Sequence, residues 1–156
     1  MVPGRIPVTS QRGFTMAELL VVIAVVGIIA MTGTPLFLSF LEGQQTRGAA
    51  QQVATLLNQA RQLAITTNTS YRVEVDTAGN RLRFVNTANN SPWTGPGTDT
   101  LGYRRLENQA RLVAVTANPT FNPLGTAGAG TITTQNVRGS SSRDVVVSSS
   151  GRIRIQ

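Results

Sequence analysis

From Leu19 to Leu41 the chain runs 23 residues without a charged side chain, and from Leu19 to Met31 every residue is apolar or glycine. As a helix that stretch is roughly 35 Å long, enough to cross a hydrocarbon core of about 30 Å. Arg5 and Arg12 precede it with no acid among residues 1–13. The bias of basic residues toward the cytoplasmic side therefore predicts a cytoplasmic N-terminus and an external remainder. Two simple readings leave something over. A secretory signal would end in a small-x-small cleavage pattern after a shorter apolar run, and neither is present. A bare membrane anchor has no use for Glu18, a carboxylate at the edge of the run that is costly in lipid without a partner.

The residues around that carboxylate carry a motif. Gly13-Phe14-Thr15-Met16-Ala17-Glu18-Leu19-Leu20-Val21-Val22 resembles the class III signal of type IV pilins and of type II secretion pseudopilins. It has the short basic leader, the glycine, the phenylalanine, the glutamate and then the unbroken apolar helix. The resemblance implies that a prepilin peptidase cuts between Gly13 and Phe14 on the cytoplasmic side and that the new Phe14 amine is methylated. The apolar run would then stay on the chain as membrane anchor and later as filament core. The resemblance further implies that Glu18 neutralises the Phe14 ammonium of a neighbouring subunit and so sets axial register. A lone carboxylate buried among packed helices would otherwise be strongly unfavourable. Gly27 and Pro35, with Gly33 between them, weaken helix propensity and remove one backbone hydrogen bond. In the family this stretch can unwind within filaments; a proline kink in a membrane helix is the plainer alternative.

Composition narrows the chemistry. Charged residues are 13% of the 156, every one of the 14 basic residues is arginine, and His, Cys and Lys are absent. That excludes disulfides, thiolate metal sites, imidazole bases and lysine Schiff bases. No cofactor, metal site or small-molecule substrate is expected, and the chain does not read as an enzyme. Only Arg5 and Arg12 among the arginines, and Glu18 and Glu42 among the acids, precede Gln44, so the remainder alone carries the whole net charge of +7.

Residues 44–66 are amphipathic: Ala49, Val53, Leu56, Ala60 and Leu63 recur at helical spacing, with Leu57 and Ala64 beside them. The spacing predicts one long helix from about Phe14 to about Thr66, ended by Thr67-Asn68-Thr69-Ser70. Alternation then predicts a hairpin over 71–85, strands at about 101–106, 110–116, 130–136 and 143–148, and a last one at about 151–155. Glu74 and Asp76 lie on one strand face among Arg72, Arg81 and Arg83, which favours cross-strand ion pairs over a calcium or catalytic site. Trp93 and Tyr103 have faces that suit stacking on bases, but core or loop packing is the simpler expectation.

The C-terminal run from Phe121-Asn122-Pro123-Leu124-Gly125 through Asp144-Val145-Val146-Val147-Ser148 to Gly151-Arg152-Ile153-Arg154 resembles the H-type pseudopilins and the FimT/FimU-like minor pilins. Lack of the disulfide-closed loop common in major pilins points to a minor subunit. In FimT-like proteins of competent bacteria a Gly-Arg-x-Arg ending is associated with DNA binding, and Gly151-Arg152-Ile153-Arg154 matches it. Strand alternation would turn Ile153 and Ile155 to the core and Arg152 and Arg154 outward. Together with Arg138 and Arg143 these form a candidate phosphate-binding strip. Similar endings also occur in secretion pseudopilins, and a solvated strand face would look the same.

The expectation is thus an α+β pilin fold: a leader over 1–13, a transmembrane and filament-core helix over 14–43, and a globular domain over 44–156. That domain comprises the amphipathic half-helix at about 44–66 and a small antiparallel β domain at about 70–156. The expected function is that of a minor pilin of a type IV pilus, at or near its tip, with DNA as a candidate partner in uptake. The alternative is a minor H-type pseudopilin of a type II secretion system. Expected partners are other pilins or pseudopilins, the prepilin peptidase and the bacterial inner membrane, with the C-terminal domain periplasmic.

Overall fold

A computed structural model of the chain describes residues 13–107 and 110–156. The leader, including Arg5 and Arg12, lies outside the described residues up to Gly13. The chain divides into two compact units, one ending at Leu38 and the other spanning Ser39–Gln156. Helix α1, Met16–Thr66, contributes to both.

In the first unit α1 opens on Thr15, whose carbonyl accepts from the Leu19 amide at 3.2 Å. Apolar side chains point outward on every side: Phe14, Met31 and Leu36 are 84%, 83% and 72% exposed. A helix apolar all round is built for an apolar environment that the chain itself does not supply. It is long and apolar enough to cross a membrane. Helical structure continues through Gly27, Gly33 and Pro35. Around the proline, Thr32 Oγ1 donates to the carbonyls of Ile28 and Ile29, and Thr34 Oγ1 donates to that of Ala30. Such back-bonding keeps hydroxyls satisfied where no water is available.

In the second unit α1 becomes amphipathic as its spacing predicts. Ala49, Ala50, Val53, Leu57, Ala60 and Ala64 are fully buried. Four of these six are alanines. Strands β1 (Tyr71–Asp76), β2 (Arg81–Asn86), β3 (Tyr103–Arg105) and β5 (Thr120–Phe121) form one antiparallel sheet in the order β3-β2-β1-β5. Strands β4 (Ala110–Val115), β6 (Gly130–Asn136), β7 (Ser142–Val147) and β8 (Ile153–Ile155) form a second, in the order β4-β6-β7-β8. The core joins the helix stripe to Val73, Leu82 and Phe84 of the first sheet and to Leu112, Ile132, Val145 and Val147 of the second, with Phe121 fully buried between. The two sheets are tied by Asn80, whose amide donates to the Ala110 carbonyl at 2.7 Å while its oxygen accepts from the Leu112 amide at 2.9 Å.

The predicted strands are all present, with β3 and β8 shorter than expected. The alternation does not predict β5, whose two residues, Thr120 and Phe121, are too few to show it. Trp93 packs on Phe84 with ring centroids 5.9 Å apart, and the Arg81 and Arg83 guanidinium groups cover the Tyr103 ring at 4.1 and 4.7 Å. Both aromatics therefore serve the fold, the simpler of the two expectations.

Candidate functional site

The candidate residues fall at three places. At the start of α1, Glu18 and Thr15 form a capping box. The Glu18 carboxylate accepts from the Thr15 amide at 3.1 Å and from its hydroxyl at 3.2 Å, while Thr15 Oγ1 accepts from the Glu18 amide at 3.2 Å. This satisfies amides that a helix start leaves open and sets a negative charge at the positive end of the helix dipole. The Thr-x-x-Glu spacing was in the sequence, but the motif reading assigned Glu18 an intermolecular role and passed over the local one. No arginine lies in contact with Glu18 among the described residues. Gly13 and Phe14 precede the helix and are exposed.

At the other end of the uncharged run stands Glu42. Its carboxylate, 19% exposed, accepts from Arg138 Nη1 at 2.9 Å and from Ser140 Oγ at 2.6 Å. One turn on, the buried Thr46 hydroxyl donates to the Glu42 carbonyl at 3.0 Å and lies 3.5 Å from the Ser141 carbonyl. Inside the β6–β7 turn, buried Asn136 donates to Ser140 Oγ at 2.8 Å and accepts from the Ser141 amide at 3.1 Å. The turn is thereby held against the helix immediately after the apolar run.

The third place is the last strand. Arg152 and Arg154 are exposed and, with Val146, Ser148, Ser150 and Gln156, line a shallow groove of about 370 Å³. Neither has an ion-pair partner among the described residues. The expected four-arginine strip is not assembled. Arg138 is engaged by Glu42. Arg143 shares the face of Val145 and Val147, opposite to the face that carries Arg154 across from Val146. It lines a separate groove of about 380 Å³ with Arg47, Gln51 and Ile155. Ile155, expected in the core, is 39% exposed. Its parity is correct, since it pairs with the buried Val145, but β8 is the sheet edge and its neighbours there are long polar side chains. Ile153 is half-buried against the core.

Gly151 has a structural duty. Its φ is +76°, and a Cβ there would fall 1.9 Å from the Gly125 carbonyl oxygen and 3.2 Å from Arg61 Nε. Arg61 Nε in turn donates to that carbonyl at 2.9 Å. The glycine lets the helix, the 122–126 turn and the start of β8 meet at one point.

The acids of the first sheet pair as expected. Glu74 meets Arg72 at 2.7 Å and Arg83 at 2.8 Å, and Asp76 meets Arg81 at 2.8 Å. Burial pushes the Glu74 carboxyl up, but the hydrogen bonds and charges of Arg72 and Arg83 outweigh it and hold it below the ordinary carboxylate range. Asp76 is held low by the Gly79 amide and by Arg81.

With this geometry in view, comparison with known proteins is informative. Residues 49–151 match the family model described as Type II transport protein GspH, and residues 8–34 match the prokaryotic N-terminal methylation motif. The chain belongs to the GspH family. Among solved structures it is similar to the minor pseudopilin EpsH of the Vibrio cholerae type 2 secretion system, at 16% identity and a TM-score of 0.57, over 72% of this chain and 96% of that one. It is also similar to the type IV minor pilin FimU of Pseudomonas aeruginosa, at 20% identity and a TM-score of 0.50, over 75% and 92% of the two chains. Identities this low speak for the fold alone. Among curated protein sequences no significant relative is found. The family description is one of type II transport, and the methylation motif precedes the matched domain in the chain. The chain's signal motif and apolar helix suggest membrane anchoring.

Proposed function

We propose that this GspH-family chain is inserted in the bacterial inner membrane with a cytoplasmic N-terminus and a periplasmic domain. It is cut between Gly13 and Phe14, methylated on Phe14, and assembled as a minor subunit near the tip of a pilin-type filament. The observation that carries this reading is the start of α1. An exposed Gly13-Phe14 pair leads into a carboxylate with no cationic partner among the described residues, and then into an apolar helix whose side chains are exposed. Cleavage creates the ammonium that a neighbouring copy's Glu18 pairs with, so processing gates assembly. Gly27, Gly33 and Pro35 are helical in the single chain, and local unwinding there belongs to the packed filament. The family description supports the secretion pseudopilus over the pilus. Expressed beside a prepilin peptidase, Gly13→Leu leaves full-length precursor on an immunoblot; normal maturation overturns the reading. Loss of exported proteins with pili intact, on deleting the gene, marks secretion as the machine. Loss of pili with export intact marks the type IV pilus.

A second role rests on Arg152 and Arg154, two unpaired guanidinium groups beside one serine-lined groove. Guanidinium forks suit phosphate oxygens, and DNA is the corresponding partner. The protein then shifts a DNA fragment with steep salt dependence. Arg152→Ala with Arg154→Ala abolishes the shift, and retention of binding in the double variant removes this site.

A further inference from the structure

The groove formed by Arg47, Gln51, Arg143 and Ile155 has no part in the reading above, and its position is informative. Leu41 ends the uncharged run, so Glu42 stands where the hydrocarbon core gives way to headgroups. Arg138, 2.9 Å from Glu42, stands there too, whatever the tilt of the helix. Its charge is cancelled by that pair. Arg47 is five residues on, about 7.5 Å along the axis. Its guanidinium is exposed and lines a groove with Gln51, one turn further along the helix. Arg143 joins it from β7 across a groove of about 380 Å³, floored on one side by the apolar Ile155. Both arginines are exposed, and neither has an ion-pair partner among the described residues. The nearest acid in sequence, Asp144, lies on the opposite face of β7 and accepts from Thr133 Oγ1 at 2.7 Å.

We infer that Arg47 and Arg143 bind the phosphates of anionic phospholipid headgroups, holding the globular domain against the membrane surface while the subunit awaits assembly. Two guanidinium forks around one groove match phosphate oxygens. The Glu42–Arg138–Ser140 latch keeps the β6–β7 turn, and with it the start of β7, in place beside the helix. This inference rests on the membrane anchoring proposed above. Each arginine near an anionic surface strengthens the contact about fivefold.

The chain lacks cysteine, so Ser142→Cys in the full chain takes a single fluorophore beside Arg143. The protein is reconstituted in phosphatidylcholine vesicles, with or without about a third phosphatidylglycerol, carrying a nitroxide on the headgroup. Quenching is expected to rise about twofold with the anionic lipid and to fall back in high salt. Arg47→Gln with Arg143→Gln removes the rise, whereas Arg152→Gln with Arg154→Gln keeps it. Thermal unfolding checks that the double variants are folded, and the salt response of the unsubstituted arginines stands without them. Equal quenching in the two lipids, or a rise that survives Arg47→Gln with Arg143→Gln, overturns the inference. Lipid-independent emission that instead follows protein density assigns the groove to an acidic segment of another subunit and also overturns it. Failure of the chain to float with vesicles at all overturns the anchoring reading, a result distinct from flotation without quenching.

Discussion

Two glutamates bracket the same uncharged helix, and the chain treats them differently. Among the described residues Glu18 has Thr15, three residues away, as its hydrogen-bonding partner. Glu42 is reached by Arg138 and Ser140 from 96 and 98 residues away. The globular unit supplies everything its carboxylate needs. At the helix start no described residue supplies a charge that balances Glu18, and the side chains that follow it are apolar and exposed. A protein that completes itself on one side of a segment and leaves itself open on the other is built to be finished by other copies and by lipid. The contrast also separates two kinds of defect, those of assembly and those of folding.

The largest expected effect is on assembly. Glu18→Ala lowers incorporation into filaments by about tenfold or more, because it leaves the neighbouring ammonium buried without a counter-charge. Membrane insertion and the thermal midpoint of the globular unit stay unchanged. Thr15→Ala sharpens the point by removing the cap while keeping the carboxylate. It costs the helix start about 1 kcal/mol and leaves most incorporation intact. If Thr15→Ala is as severe as Glu18→Ala in a filament pull-down, Glu18 is only a cap and the two glutamates differ less than argued. The reverse defect comes from Gly151→Ala. The added Cβ meets the Gly125 carbonyl oxygen at 1.9 Å with φ at +76°. Destabilisation of about 2–4 kcal/mol follows, a fall of roughly 10 °C or more in the unfolding midpoint by circular dichroism, with membrane insertion unaffected.

How far these features could be read from the sequence depended on their range. The α1 stripe was legible because helical spacing is local, and its end at Thr66 was marked by Thr67-Asn68-Thr69-Ser70, where Asn68 takes a φ of 52°. The hairpin and its ion pairs followed from alternation within a few residues. The Gly13–Glu18 motif was legible as a pattern, though its capping box went unread. What failed was inference from nearness in sequence. Arg143 was grouped with Arg152 and Arg154, yet strand parity sets it on the other face of the sheet. Arg138, expected in the same strip, pairs instead with Glu42, which only the closed fold brings near. Asn80 joins the two sheets through β4, a contact 30 residues away that no local pattern displays.

Smaller effects test how self-sufficient the globular unit is. Glu42→Ala removes the latch on the β6–β7 turn. Arg138 is 67% exposed, so solvent screens the pair and the loss is about 0.5–1 kcal/mol, with filament incorporation near normal. A drop in incorporation matching that of Glu18→Ala would erase the distinction between the two acids.

The smallest effect is a pH dependence confined to the first sheet. Glu74 is held below the ordinary carboxylate range in the folded chain, its burial outweighed by Arg72 and Arg83. Its contribution to stability is therefore fully present above the unfolded value of about 4.3. It is lost as pH falls through the lower folded value, where protonation breaks both contacts. Glu74→Gln flattens that acid limb in urea-unfolding midpoints measured from pH 7 downward and also lowers stability at neutral pH. Both arginines then lose a charged acceptor that no other described acid replaces. An acid limb unchanged by the substitution would mean that other carboxylates, Asp76 with Gly79 and Arg81 first among them, carry the pH response of the globular unit.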